Sequence, residues 1–237
     1  MLDWDDFSET YDRDFHKDPA YESALQLMLD QVEPGDRRFL DLGCGTGNLT
    51  HRLIRRFPEA RVTGVDPSKG MRNVFSRKFA DVSRVRVADG SSLDIPFDNG
   101  EFDCVMSNLA IHHVKPDDRE GCAAEITRVL RPGGHLIYSD RFCNVEGPAG
   151  DPARKRDTIE RLTGWALYCL EHGAYEKMLR ILETIPFDLK EDGEYPTTVE
   201  TWKLILERPG FTDFNIVEVP PERFALRIIC CRRHTTT

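Results

Sequence analysis

The sequence has no long apolar segment. Nowhere in its 237 residues does an apolar run approach the ~20 residues that a membrane-spanning helix needs. The first residues, MLDWDDF, are acidic and have neither a basic region nor an apolar core, so we expect no secretory signal peptide. These absences favour a soluble protein with no membrane partner. The length suits one large α/β domain.

Positive charge is also scarce. The chain carries 32 lysines and arginines against 41 aspartates and glutamates, which gives a net charge of −9. A protein that binds nucleic acid along a broad surface needs an excess of cations facing the phosphates. We therefore expect no nucleic-acid partner.

The cysteines lack the spacing of a metal site. The seven are odd in number and scattered, and no Cys-x-x-Cys pair occurs. Small buried thiols in a reducing cytoplasm explain this pattern better than disulfides do. No other cluster of His, Cys, Asp and Glu shows ligand spacing, so we expect no bound metal.

The most informative segment is FLDLGCGTGNLT at 39–50, where an apolar strand runs into three glycines and a helical pattern follows. Glycines at such a turn let a ligand lie against main-chain N–H groups. No Lys or Arg occurs in this segment, and Asp41 precedes the glycines. A pyrophosphate would be repelled by Asp41, whereas an ammonium or sulfonium group would be attracted. The segment predicts an adenosyl ligand without phosphates.

Asp66 follows the next predicted strand, 61–65. An acidic residue about 20 positions beyond such glycines, at a strand end, accepts hydrogen bonds from ribose hydroxyls. Asp66 stands at that distance. The alternative role, N-cap of the helix that begins near Pro67, stays open from sequence.

Five ordered segments carry a family resemblance: Asp-Leu-Gly-Cys-Gly-Thr-Gly at 41–47, Gly-Val-Asp-Pro-Ser at 64–68, Ala-Asp-Gly-Ser at 88–91, Phe-Asp-Cys-Val-Met-Ser-Asn-Leu at 102–109 and Val-Leu-Arg-Pro-Gly-Gly-His-Leu at 129–136. The chain resembles the class I S-adenosylmethionine-dependent methyltransferases over roughly residues 36–140. The resemblance implies S-adenosyl-L-methionine as cofactor.

The element pattern fits that resemblance. Strands predicted at 38–42, 61–65, 84–88, 102–107 and 134–139 alternate with helices, which implies parallel pairing. We predict one α/β domain with a Rossmann-like doubly wound sheet, a C-terminal antiparallel hairpin and a helical insert before the hairpin. Its parts are a helical lid (1–36), a cofactor-binding core (37–140), an acceptor-pocket insert (141–208) and the closing hairpin (209–237). In the insert, the basic cluster Arg154-Lys155-Arg156 is interpreted as a solvated helix face.

Candidate cofactor contacts lie at strand ends and in the turns that follow: Asp41, Gly43, Gly45, Gly47, Asp66, Met71, Asp89, Gly90, Asn108 and Leu109. By resemblance, Asp89 accepts from the adenine amino group, with Asp94 as a competitor. Met71 either flanks the adenine or fills the core. The backbone of Asn108 and Leu109 is expected near the methionine end.

His113 is the candidate catalytic base, because it follows the fourth strand and a neutral histidine can take a proton from an acceptor oxygen or nitrogen. It can equally pack against the next loop. Asp140 and Arg141 end the fifth strand and can orient an acceptor or pair with each other. Tyr11, in the predicted helical lid (1–36), is expected to close over the methionine end of the cofactor.

The sequence favours a cytoplasmic methyltransferase, monomeric or homodimeric, that acts on a small molecule. A module that binds the cofactor without catalysis and a methyltransferase acting on a macromolecule remain alternatives. A nicotinamide oxidoreductase is disfavoured by Gly-x-Gly-x-Gly in place of Gly-x-Gly-x-x-Gly. The Asn/Asp-Pro-Pro-Tyr signature of amino-group methyltransferases acting on nucleic acids is absent, and Asn-Leu-Ala-Ile stands at 108–111.

Overall fold

A seven-stranded sheet organises the computed structural model, which describes residues 4–9, 12 and 18–235. The strands are β1 (Arg38–Leu42), β2 (Arg61–Asp66), β3 (Val85–Asp89), β4 (Phe102–Asn108), β5 (Leu130–Arg141), β6 (Phe211–Glu218) and β7 (Leu226–Arg233). Their order in the sheet is β3-β2-β1-β4-β5-β7-β6. Strands β1 to β5 pair in parallel, and β7 is antiparallel to both β5 and β6. The predicted fold class is confirmed.

Helices cover both faces of the sheet. They are α1 (Trp4–Phe7), α2 (Pro19–Asp30), α3 (Asn48–Arg56), α4 (Lys69–Lys78), α5 (Arg119–Val129), α6 (Pro152–Glu171), α7 (Tyr175–Lys190) and α8 (Val199–Glu207). Buried residues of α2, α3, α4, α6 and α7 form one apolar cluster, and those of α5 and α8 form the other. In the described part of the chain, no helix is both long and apolar enough to cross a bilayer.

The first strand shows why the sheet is buried on both faces. Successive side chains of a strand point to opposite faces. Accordingly, Phe39 belongs to the first apolar cluster, and Leu40 and Leu42 belong to the second. Parallel strands covered by helices on both sides read as nearly continuous apolar runs. This burial explains why β1 was recognisable in the sequence.

The strand order reverses beside β1, which pairs with β2 on one side and with β4 on the other. Ligands of open α/β sheets bind outside the carboxyl ends of the strands at such a point. The residues that follow β1, β2 and β4 therefore meet at one crevice, although they are distant in sequence.

Two local predictions were wrong. The fifth strand was predicted at 134–139, but β5 runs from Leu130 to Arg141, with a register irregularity in its pairing to β4. Arg154 was expected in solvent, but it is buried and donates to the carbonyl oxygen of Pro196 at 2.5 Å. A hydrogen-bond acceptor contributed by a distant loop explains how this charge is buried.

Asp18 joins the start of α2 to α6 of the insert. Its carboxylate caps α2 by accepting from the backbone N–H groups of Ala20 and Tyr21. It also accepts from the indole N–H of Trp165 on α6 at 3.1 Å, 147 positions along the chain. Trp165 is buried and stacks on Phe224, with ring centroids 5.9 Å apart. Trp165 is thus a core residue of the insert.

We predict that Asp18→Ala lowers the free energy of unfolding by about 2–4 kcal/mol, since it removes a helix cap and leaves a buried indole N–H unpaired. Urea titration of the Asp18→Ala variant and of the unmodified chain would measure this loss of unfolding free energy. In a Trp165→Phe background the same substitution should cost only about 1 kcal/mol, the contribution of the cap. Additive costs in the double mutant would contradict the pairing.

Candidate active site

A cavity of about 430 Å³ lies at the carboxyl edge of the sheet, beside β1, β2 and β4. Its floor includes Gly43, Asp66 and Asn108, and its other walls include Trp4 and Phe187. Cavities of this size are typical of small-molecule sites. The strand-end residues that the sequence singled out therefore meet at one cavity, with the exceptions described below.

The glycine turn approaches this cavity with two of its three glycines, Gly43 and Gly45. Gly43 has φ 71°, and a Cβ built there would lie 2.3 Å from the Cβ of Ala110. Gly47 does not line the cavity. It precedes α3 in the left-handed conformation and packs against Phe79 of the segment after α4, where a Cβ would lie 2.4 Å from the ring. A side chain at Gly43 or Gly47 would push neighbouring elements apart.

Asp66 faces the cavity from the end of β2. Its carboxylate accepts from the backbone N–H of Gly45 at 2.8 Å and from that of Ser68 at 2.9 Å. Burial raises the pKa of this carboxyl group. The N-cap of α4 is Ser68, whose hydroxyl accepts from the N–H of Met71, so the alternative role of Asp66 as that cap is not observed. Each carboxylate oxygen keeps a lone pair that can accept from a ribose hydroxyl.

Asp41 does not reach the cavity. It is buried beneath the glycine turn, where its carboxylate accepts from the hydroxyl of Thr50 at 2.6 Å. Burial raises its pKa to about 6, and nearby Asp66 adds to the effect. Asp41 therefore contacts α3 through Thr50. It can attract a cationic ligand in the cavity only across the glycine turn, without touching the ligand.

Asp89 and Gly90 also lie outside the cavity lining. The Asp89 side chain is 75% exposed and pairs with Arg72 at 2.9 Å. The backbone of the next residues turns inward because Ser91 and Asp94 pair in a short bridge. Residues 91–93 line the cavity where Asp89 was expected. Asp94 does not line it either.

Met71, Asn108 and Leu109 do line the cavity. Leu109 has φ 53°, which is uncommon for a non-glycine residue and locates backbone strain at the site. The side-chain oxygen of Asn108 is buried and has no hydrogen-bond partner among the residues that the structure describes. An unpaired buried acceptor is costly, so it suits a ligand that donates N–H bonds. An ammonium group meets that requirement.

His113 lines the cavity and lies edge-on to Trp4, with ring centroids 5.3 Å apart. Its Nδ1 lies 2.7 Å from the carbonyl oxygen of Gly193. Because a carbonyl can only accept, Nδ1 carries the proton and Nε2 keeps its lone pair. Burial lowers the pKa of His113 to about 4, and repulsion from His112 contributes. The ring is therefore neutral near pH 7 and able to take a proton.

His112 has the opposite charge state. Its Nδ1 lies 2.6 Å from Asp140 and its Nε2 lies 3.1 Å from Glu194, so carboxylates flank both nitrogens. Burial opposes its charge, but Asp140 and Glu194 outweigh burial and raise its pKa to about 9. His112 is therefore an imidazolium ion held between Asp140 of β5 and Glu194 of the loop after α7.

Asp140 and Arg141 belong to this buried network and do not line the cavity. Asp140 accepts from the backbone N–H of His112 and from the hydroxyl of Tyr138. Arg141 pairs with Asp188 at 2.8 Å and also contacts Glu194. Both residues are saturated by partners within the chain, so the structure gives them a role beneath the site and no direct access to an acceptor.

Glu194 completes a set of three possible metal ligands with His112 and His113, whose ligand atoms lie within 4.8 Å of one another. No sequence pattern predicted this set, because Glu194 lies 81 positions beyond His113 and in no motif. Arg141 already contacts Glu194, and a second cation there would be repelled. The set is better suited to holding His113 in place than to binding an ion.

The insert reaches the cavity through the end of α7 and the loop that follows it. Phe187, Asp192, Gly193 and Glu194 line it there, whereas Trp165 and Tyr168 do not. No pattern in the sequence distinguished 187–194 from the rest of the insert. Tyr11 lies outside the described residues. Among the residues of the predicted lid (1–36) that the structure describes, Trp4 lines the cavity.

Comparison with known proteins agrees with this geometry. A family model described as a methyltransferase domain matches residues 39–134. An uncharacterized methyltransferase of Anoxybacillus flavithermus is 30% identical over 209 residues, which cover 86% of this chain and 81% of that protein. The malonyl-[acyl-carrier protein] O-methyltransferase of Hahella chejuensis is 46% identical over 101 residues, 42% of this chain and 35% of that protein.

A solved structure from Thermotoga maritima, described as a S-adenosylmethionine-dependent methyltransferase and possible histamine N-methyltransferase, superposes with a TM-score of 0.64. It is 20% identical, and the match covers 97% of this chain and 98% of that chain. At this identity the similarity bears on the fold alone.

Asp66→Ala should weaken S-adenosylmethionine binding by about 1.5–3 kcal/mol, the range for hydrogen bonds to a charged group. Isothermal titration of the folded variant would measure it. Asp81→Ala, which removes an exposed aspartate outside the cavity lining, is the matched control and should bind as the unmodified chain does. Equal affinity in Asp66→Ala and Asp81→Ala would remove Asp66 from the site.

His112 should make stability depend on pH. Its pKa is about 9 in the folded chain against 6.5 ordinarily, so its stabilisation, on the order of 3 kcal/mol, is complete below pH 6.5 and is lost as the pH rises through 9. Chemical denaturation from pH 6.5 to 9.5 should show a steeper loss in the unmodified chain than in His112→Gln. Parallel curves would mean that His112 is neutral in the fold.

Proposed function

Because this chain belongs to the class I S-adenosylmethionine-dependent methyltransferases, we propose that it methylates an oxygen or nitrogen of a small molecule. The cofactor is S-adenosyl-L-methionine, and the chain is an enzyme. The single observation that carries the proposed acceptor class is the cavity, whose walls beyond the cofactor residues come from Trp4, Phe187 and the loop that ends at Glu194.

The residues at the sheet edge suit the cofactor's chemistry. Asp66 offers two carboxylate oxygens for the ribose hydroxyls, and Asn108 offers an unpaired acceptor for the ammonium group. Gly43 and Gly45 let the ligand approach the backbone closely. Bound S-adenosylmethionine supplies a methyl group already activated by its sulfonium, so the protein's main task is alignment and exclusion of water.

The volume supports a small acceptor. About 430 Å³ must hold the cofactor and the reacting end of the acceptor together. The wall formed by the end of α7 and its loop is fixed from below by Arg141, which pairs with Asp188 of that helix. An acceptor too large for the enclosed space would need this wall to open. The named activity of the Hahella relative, an O-methyltransferase, supports oxygen as one acceptor atom.

His113 is the base in this proposal. Its Nδ1–H donates to the carbonyl of Gly193, and this bond turns the ring so that Nε2 is the proton acceptor. As the acceptor atom forms its bond to the methyl carbon, the carbon–sulfur bond breaks and its electron pair stays on sulfur. The proton of the acceptor passes to Nε2 of His113. The seven thiols, free of disulfides, support a reducing cytoplasm as the place of this reaction.

The acceptor class is tested by the fate of the methyl group. The purified chain is incubated with methyl-labelled cofactor and a cell extract, and the products are divided by ultrafiltration. Label in the small-molecule filtrate is expected, and a chain with Asp66→Ala should transfer much less. Label retained on protein or nucleic acid would overturn the small-molecule proposal and leave the methyltransferase assignment intact.

The role of His113 predicts an unusual pH profile. With its pKa at about 4, kcat/KM should stay flat from pH 8 to 6 and fall only below about pH 5. His113→Ala should lower kcat by about 10²–10⁴-fold with cofactor affinity unchanged, since it removes only the base. His51→Ala, at an exposed histidine of α3, is the control. A break near pH 6.5, or full activity in His113→Ala, would contradict the assignment.

A further inference from the structure

A second cluster of ligand-type side chains lies at the opposite edge of the sheet. Asp36 precedes β1, Cys104 lies early in β4, and His135 lies in β5 directly beside Cys104 in the strand register. All three are buried, and their ligand atoms lie within 4.8 Å of one another. None of them takes part in the active site.

The polar atoms of this cluster are short of partners. Among the residues that the structure describes, one carboxylate oxygen of Asp36 and both ring nitrogens of His135 make no hydrogen bond. The other oxygen of Asp36 accepts from the backbone N–H of Glu33 at 3.0 Å. Unpaired buried polar atoms cost about 1–3 kcal/mol each, so three in one place call for a common partner.

The distance between Asp36 and His135 points to the kind of partner. The ring Nε2 of His135 lies 3.3 Å from the second carboxylate oxygen of Asp36, yet the two do not align as a hydrogen bond. Two ligands that each lie about 2.0 Å from a tetrahedral ion are separated by about 3.3 Å. The pair is thus spaced as two ligands of one ion.

The chemical types of the three ligands indicate which metal ion the cluster suits. One thiol, one imidazole and one carboxylate, all buried, match the ligands of zinc, whereas calcium and magnesium prefer oxygen alone. Cys230 on β7 lies beside Ile137, two residues after His135, and so projects from the same face of the sheet. It is partly buried against the same apolar cluster as Cys104, but it does not belong to the set whose ligand atoms lie within 4.8 Å of one another.

We propose that Asp36, Cys104 and His135 bind a zinc ion. The ion would tie the segment before β1 to β4 and β5 at the amino edge of the parallel strands. Cys104 lies four residues from Asn108, or about 13 Å along a strand, so the ion would not touch the reacting groups. Ligand spacing could not reveal this site, because its donors are brought together only by strand pairing.

The test is the metal content of the full chain, purified from zinc-supplemented cells and measured by plasma mass spectrometry. One zinc per chain is expected in the unmodified protein, and Cys104→Ser and His135→Asn should each lose most of it. Cys122→Ser, which changes another fully buried cysteine in the opposite layer, should keep it. Circular dichroism would confirm that each variant is folded.

Two readouts locate the ion. Replacement by cobalt should produce a thiolate-to-cobalt charge-transfer band that Cys104→Ser lacks. Glu194→Gln should retain zinc, because the ion lies far from the histidines of the active site. No stoichiometric zinc in the unmodified chain would overturn the proposal. Retention of zinc by both Cys104→Ser and His135→Asn, or its loss in Glu194→Gln, would also overturn it.

Discussion

The carboxylate of Asp66 is the constraint on which the site depends. It accepts from the backbone of Gly45 in the turn after β1 and from that of Ser68 before α4, so one side chain holds two turns in register. Beneath the same turn, Asp41 connects β1 to α3 by accepting a hydrogen bond from the hydroxyl of Thr50. Two buried carboxylates 25 positions apart thus fix the shape of the glycine turn and of the segment before α4, which border the cavity where we propose that the ribose binds.

A buried charge network fixes the other half of the site. His112 and Arg141, both cationic, pair with three carboxylates: Asp140 of β5, Asp188 at the end of α7 and Glu194 in the loop after it. Removing one partner would leave a buried charge uncompensated, which costs more than the pair contributes. The network therefore positions the insert over the sheet edge and places His113 against Gly193.

The core was predictable because its signals are local. Apolar strands, glycine turns and an aspartate at a strand end each occupy a few consecutive residues, and Asp66 and Asn108 were found in this way. The misassigned residues depend on distant partners. From the sequence, Arg141 was expected to be able to orient an acceptor, but in the structure it pairs with Asp188 and Glu194. Arg154 was expected in solvent, but it donates to the carbonyl oxygen of Pro196. Residues 91–93 line the cavity in place of Asp89, beside a backbone bridge between Ser91 and Asp94. The residue types of this segment do not predict that bridge.

The most direct test of this account is a crystal structure of the chain with S-adenosylhomocysteine. Both ribose hydroxyls should lie within hydrogen-bonding distance of Asp66, and the ammonium group should lie at the side-chain oxygen of Asn108. The sulfur should face a space bounded by His113, Trp4 and Phe187. Ribose bound away from Asp66, or a sulfur open to bulk solvent with the loop 191–194 turned aside, would contradict it.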